Sequence, residues 1–524
     1  MNQRVPTSLA SYLIKTFNQD ISKKTEKGIT VNPIVSEIAA WYEKLRNAMD
    51  YREDEVILRA TIERILKRRL VLGRDGDKIA GPLVRELIWA RYFPDGSVPE
   101  SIIGNVAKTI DLYLELRDSI FHNHPTVKEG QIHTWIYQLL SSEIAHTLSP
   151  NKEEEAMSNF MFHVFKDSVD IPDDSEQSRS VQIFIAVRRA YAKDDLAFLR
   201  YHLFLQYFGE LNKTTIPLIA SRFVDGYTEI EHQLNHPFRH KILSYITRQT
   251  PPFLILEDVL RSEKSTIHEL VRNEEALSEV VFVTCEKKYK SITSKVQRAI
   301  IRSVIFILLS KAFFALAIEG TYENIVYGKV LWGSMALNVF IPPLLMIIAG
   351  ILIKTPDQRN SVRILKHIET LLFEKSPKLS YPIMLKRTGK KKKSFLDQTF
   401  TGLWLATFIL SFGLIIFILS KLHFNLISQG VFLFFIAIVS FLSYRIYRIA
   451  HTYSVENKQS LSTLIVDFFF MPIAQVGRYL TEGITQINVF LFILDYIIET
   501  PFKGIFAFFE QWFLFLHTKR EQLE

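Results

Sequence analysis

Two Glu-x-x-His pairs, Glu143/His146 and Glu229/His232, have the most metal-like spacing in this sequence. On a helix, positions i and i+3 share one face. Two such pairs joined by two further glutamates, here Glu115 and Glu210, would compose the ligand set of a di-iron bundle. Against this, 14 histidines among 524 residues produce such pairs by chance, and both pairs sit on segments rich in other charges. We favour solvated helix faces and expect no metal and no cofactor. His122, His124 and His133 have no cysteine or carboxylate at ligand spacing and read as a loop and the helix after it.

Other catalytic patterns are missing. The chain has no GxxxxGK[ST], HExxH, GxSxG or CxxC, so no catalytic residue is assigned and an enzyme is not the favoured class. The glycines of GRDGDKIAGP fit neither a phosphate loop nor a dinucleotide loop and suit a helix–helix turn. Arg59, Glu63, Arg64, Lys67, Arg68, Arg69, Arg85, Glu86 and Arg91, with Trp89 and Tyr92 among them, could touch nucleic acid as a basic surface. The acids in the run argue for structural ion pairs or a protein partner instead, and no nucleic acid is expected.

The remaining candidates are charges inside apolar sequence, where an ionisable group is costly and commonly functional. Lys311 lies within the apolar run 300–318 and needs a partner such as Asp467, Asp495 or Glu319, unless it snorkels to an interface. Further on, Asp467, Asp495, Glu499, Lys503 and Glu510 interrupt a phenylalanine-rich stretch. At helical pitch Asn488, Asp495, Glu499, Lys503, Glu510 and His517 fall within an arc of about 80°. Such a thin polar stripe suits a helix lying in the membrane interface, one packed in a bundle, or a self-associated polar path, and the interfacial placement is the ordinary one. Lys390, Lys391, Lys392 and Lys393 could grip anionic lipid headgroups at about 1 kcal/mol each, or simply mark a cytoplasmic loop.

The elements that must position these groups are helices. Apolar residues recur at three and four positions through segments between 34 and 283, the last of them 267–283, separated by turn signals such as Pro94-Asp95-Gly96, Ser149-Pro150 and Pro251-Pro252. Asp173-Asp174-Ser175-Glu176 reads as a helix start. About ten helices and no alternating strand pattern predict a helical domain over 1–297, possibly an irregular α-solenoid. From residue 298 onward the composition changes. Four stretches near 300–318, 330–353, 402–420 and 428–447 approach or exceed the roughly 18–20 apolar residues that cross a bilayer. Pro342-Pro343 falls in the middle of the second and should kink it. The predicted class is all-α: a soluble helical N-terminal domain followed by a polytopic membrane domain over 298–450, then an aromatic amphipathic tail over 451–524.

Charge supplies an orientation. Residues 298–524 hold 24 Lys+Arg and 14 Asp+Glu, which leaves 39 and 41 of the chain's 63 and 55 for residues 1–297. The overall net charge of +8 therefore belongs to the apolar part. The loop 354–398 holds 12 Lys+Arg, whereas the connections 319–329 and 421–427 hold one each. Positive-inside alternation then puts both termini in the cytoplasm of a multi-pass protein of the cell membrane. The opening MNQRVPTSLASYLIKTF lacks the apolar core of a secretory signal, and a single cysteine, Cys285, fits a reducing compartment.

With no catalytic constellation, the expected function is a membrane-anchored scaffold or interaction module that contacts anionic lipid and a protein partner, with self-association open. The alternative is a transporter or channel subunit whose polar route runs through Lys311, Asp467 and the tail charges.

Overall fold

A computed structural model describes residues 5–18, 28–48, 54–70, 75–264, 266–330, 332–377, 381–386, 395–422, 424–455 and 461–486, with isolated positions beyond. These residues are almost wholly helical, and two compact units emerge.

One unit spans Ser8–Thr247, with Ser380–Leu385 and Val489–Glu524 assigned to it. Its helices are α1 (Ser8–Phe17), α2 (Pro33–Ala48), α3 (Asp54–Leu70), α4 (Gly76–Trp89), α5 (Ser101–Asn123), α6 (Glu129–Leu148), α7 (Lys152–Phe165), α8 (Glu176–Ala190), α9 (Leu196–Phe208), α10 (Ile216–Leu234) and α11 (Arg239–Gln249), the last ending at the boundary. Asp75, Asn151, Ser175 and Asp195 cap α4, α7, α8 and α9, each side chain accepting a first-turn amide. The expected start around Ser175 is thus where the chain begins a helix. The core gathers the apolar stripes of α3 to α6, α9 and α10. Trp135 stands edge-on to Phe223 at 5.3 Å and to Phe204 at 6.3 Å. A two-residue parallel pairing joins β1 (Val169–Asp170) to β2 (Ile383–Met384).

The other unit covers Met1–Thr7, Arg248–Leu379 and Lys386–Asn488. It contains α12 (Pro251–Ser262), α13 (Ile267–Arg272), α14 (Glu274–Phe314), a π-helical segment (Ala315–Gly320), α15 (Thr321–Tyr327), α16 (Trp332–Leu352), α17 (Gln358–Phe373), α18 (Phe395–Lys421), α19 (Leu426–Ala450) and α20 (Leu461–Gln486). Among the described residues, four helical stretches are long and apolar enough to cross a membrane: Glu274–Tyr327, Trp332–Leu352, Thr399–Lys421 and Leu426–Ala450. They coincide with the four stretches read from hydropathy. Ile301, Ile305, Leu309 and Phe313 stand exposed along α14, continued by Leu316 in the π-helical segment, an apolar stripe of the kind lipid covers.

Small residues set the closest approaches. A Cβ on Gly350 of α16 would fall 2.8 Å from Ile300 of α14, and one on Gly477 of α20 would fall 1.9 Å from the Ala437 carbonyl of α19. At the more polar end, α12, α14 and α17 pack together. There Asn360 donates to the Tyr289 hydroxyl and the Tyr453 carbonyl, both at 2.7 Å, and Lys288 pairs with Asp258 at 2.7 Å.

Three expectations need amendment. Pro251-Pro252 is not a turn but the first turn of α12, where a missing amide costs no helical bond. The periodic stretch 267–283 is two helices, because Asn273 ends α13 and caps α14 through the amides of Glu275 and Ala276. Residue 298, where the composition changes, lies inside α14, since a change in side-chain polarity does not interrupt backbone hydrogen bonding.

Candidate functional site

The ionisable group in the apolar helices is held by its own chain. Lys311 is fully buried on α14, and its Nζ lies 2.7 Å from Oε1 of Glu319, itself 1% exposed. Glu319 belongs to the π-helical segment. In an unbroken α-helix positions eight apart differ by about 80° around the axis. Widening one turn to i→i+5 bonding absorbs a residue, which returns Glu319 nearly to the face of Lys311. The bulge and the ion pair therefore form one device.

A second element completes the centre. Asn338 of α16, fully buried, donates its Nδ2 to Oε2 of Glu319. Its Oδ1 is buried with no hydrogen-bond partner. Four residues later, Pro342 lacks the amide that the Asn338 carbonyl would accept in an α-helix, and Pro343 likewise leaves the Val339 carbonyl without its donor. The Lys311 ammonium also stands 5.2 Å from the Phe435 ring centre on α19. One turn beyond Glu319, buried Glu323 accepts from Nδ2 of Asn425, which caps α19.

Of the three partners expected for Lys311, Glu319 is the one whose side chain is among the described residues, and it pairs with Lys311; with Lys311 buried, the snorkelling arrangement does not occur. Asp467 lies on α20, but its side chain falls outside the described residues. Asp495, Glu499, Lys503 and Glu510 also lie outside them, as do Lys390, Lys391, Lys392 and Lys393.

The remaining candidates sit in the helical unit. Glu143 accepts from the Tyr113 hydroxyl at 2.7 Å, and Glu229 from Nε2 of Gln233 at 2.8 Å. Burial pushes the Glu143 carboxyl up, against the bond from Tyr113. Among the described residues no three His, Cys, Asp or Glu side chains converge as metal ligands. The basic run of α3 is tied into ion pairs: Arg59 and Lys67 with Glu63, Arg64 with Glu43, Arg68 and Arg69 with Glu86.

Sequence reasoning passed over a buried polar cluster beside that run. Arg188 donates to Asp194 at 2.6 Å and to Glu155 at 2.8 Å, and Nε2 of His202 lies 3.5 Å from Asp194. These side chains line a cavity of about 270 Å3 with Arg59, Tyr201 and His146. Burial holds the His202 imidazole well below its ordinary value, helped by the positive field of Arg188. The only sequence signal was a lone histidine in an apolar helix.

No family model, no curated protein and no solved structure matches this chain. What the fold and the site define is a helical protein with membrane-length apolar helices and a charged centre buried between them.

Proposed function

We propose that this chain is an integral, multi-pass protein of the cell membrane that works as a transporter or channel subunit, with the Lys311–Glu319–Asn338 centre on its polar route. The observation carrying this reading is that both charges of the pair are fully buried between apolar helices. An apolar side chain would fill the same space without desolvating two charges, so their presence favours a role beyond packing. Both termini face the cytoplasm in this reading, and the lysines at 390–393 contact anionic headgroups. The test is cation and proton flux in proteoliposomes. Wild-type vesicles should leak at least about tenfold faster than Lys311→Met or Glu319→Gln vesicles, an effect of more than 1.4 kcal/mol on the barrier. Wild-type flux equal to that of empty liposomes rejects the reading.

A specific feature supports a second reading, the interaction module. Ile34, Ile38 and Trp41 recur at i, i+4 and i+7 on α2 and are 56%, 45% and 65% exposed. This is the pattern by which one helix docks on another. Replacing Ile38 and Trp41 by serine should release a co-purifying protein without lowering the melting temperature. Retention of every partner would remove α2 as the docking face.

A further inference from the structure

On α14 we infer a seat for one anionic phospholipid, with its headgroup phosphate on Lys295, Arg298 and Arg302 and its acyl chains along Ile305, Leu309 and Phe313. At 100° per residue these six positions fall within an arc of about 80° on a single helix. All six side chains are exposed. The packed face, which carries Ile300, Ile307 and Lys311, points the opposite way. The exposed stripe therefore turns from basic to apolar without leaving its face. Lys295 to Arg302 is a rise of about 10 Å, and Ile305 to Phe313 one of about 12 Å. Each leaflet of a bilayer offers about 5–8 Å of headgroup region and then about 15 Å of hydrocarbon. The stripe repeats that order on a comparable scale.

Charge selects the kind of lipid. No Asp or Glu occurs between Glu286 and Glu319, and Glu286 is paired with Lys290. Lys295, Arg298 and Arg302 make no ion pair among the described residues. Neighbouring elements add cations at the same depth. Ile292 and Val296 share a core cluster with Ile446 and Ala450 of α19, and the Thr293 hydroxyl meets that of Thr355, just beyond α16. Exposed Arg445, Arg448 and Lys354 thus stand level with the stripe. Against these six cations the connection from α16 to α17 sets one acid, Asp357, so a positive excess persists. A zwitterionic headgroup brings as much positive charge as negative, whereas a net-negative one meets the excess. Anionic lipid gathers in the cytoplasmic leaflet, the side to which the proposed orientation assigns this end. The apolar continuation favours a lipid over a nucleic acid or a soluble phosphate ester, neither of which has chains to lay along Ile305, Leu309 and Phe313. The seat rests on the integral-membrane part of the proposed function, not on transport, and is separate from the lysines at 390–393.

The test uses the full chain in phosphatidylcholine vesicles holding a trace of phosphatidylglycerol or phosphatidylcholine with a photoactivatable group in one acyl chain. After irradiation, adducts are quantified on the tryptic peptide that contains residues 303–311. In wild type the phosphatidylglycerol adduct there should exceed the phosphatidylcholine adduct at least about fivefold, the worth of one basic residue beside an anionic headgroup. High salt should shrink the ratio. Lys295→Gln/Arg298→Gln/Arg302→Gln should bring it to one, whereas Lys295→Arg/Arg298→Lys/Arg302→Lys should keep it, as should Lys390→Gln/Lys391→Gln/Lys392→Gln/Lys393→Gln. Equal labelling by the two lipids in wild type, or a preference that survives in the inserted triple glutamine variant, overturns the inference. So does a preference lost only with the lysines at 390–393. Should the triple variant fail to insert, competition on wild type decides: unlabelled phosphatidylglycerol should displace the probe, and glycerophosphoglycerol, the same headgroup without chains, should not. Displacement by the soluble headgroup overturns the lipid seat. Selective labelling without ion flux supports this seat while rejecting the transport reading, and flux with unselective labelling does the reverse. Release of the chain from vesicles by an alkaline wash rejects the membrane reading and the seat with it.

Discussion

Removing half of the Lys311–Glu319 pair strands the other charge in an apolar bundle. Lys311→Met should therefore destabilise the apolar unit by about 3–5 kcal/mol, while Lys311→Met/Glu319→Leu should recover most of that loss. Denaturant titration in mixed micelles measures both, and equal losses for single and double variants would contradict the pairing. His202 gives a prediction in the helical unit. Its folded pKa is depressed, so its contribution to stability is complete above the ordinary value of 6.5 and lost as pH falls below it. Melting curves of wild type and His202→Gln should run parallel above pH 6.5 and diverge below it, the wild type falling more steeply. Neither residue was fully legible. Lys311 stood out as a charge in an apolar run and Glu319 stood among its three candidate partners, but the choice between them was not legible, because i+8 shares no α-helical face and nothing in ALAIEG announces a π turn. His202 was hidden because periodicity marks apolar positions, whereas its polar partners lie on the preceding helices and the turn before α9, which only packing brings together.

At the scale of elements, helices were read well where apolar residues kept their period and poorly where a single residue carried two meanings. Pro251-Pro252 can end one element or begin another, and only packing chose the second. Asn273 divides a continuous apolar period because its side chain competes for the amides that would extend α13. Asn273→Ala should cost about 1 kcal/mol through loss of this cap, measurable as a lowered melting temperature. Gly477 leaves no room for a side chain, since the Ala437 carbonyl opposite it is backbone and cannot rotate away. Gly477→Val should separate α20 from α19, and a disulfide engineered across the two helices near this crossing should then form at a small fraction of its rate in the glycine background.

Across the whole molecule, hydropathy located the four apolar helices because their composition alone sets them apart. The limits of the compact units were not legible, since compactness depends on which helices pack together, and α14 joins polar and apolar sequence in one element. The proposed orientation is tested with single cysteines in a Cys285→Ala background. Impermeant maleimide on intact cells should label positions 329 and 422 and spare 359 and 452, and labelling at 452 would reverse it. The 41 residues of α14 make a rod about 60 Å long. Its polar end is clamped by α12 and α17, and its other end runs straight into the π turn that holds Glu319. Should that turn tighten to ordinary pitch, everything beyond it must swivel by about 100°, one residue's worth of rotation. Anchored at its base, the rod would pass that rotation on to the residues that follow.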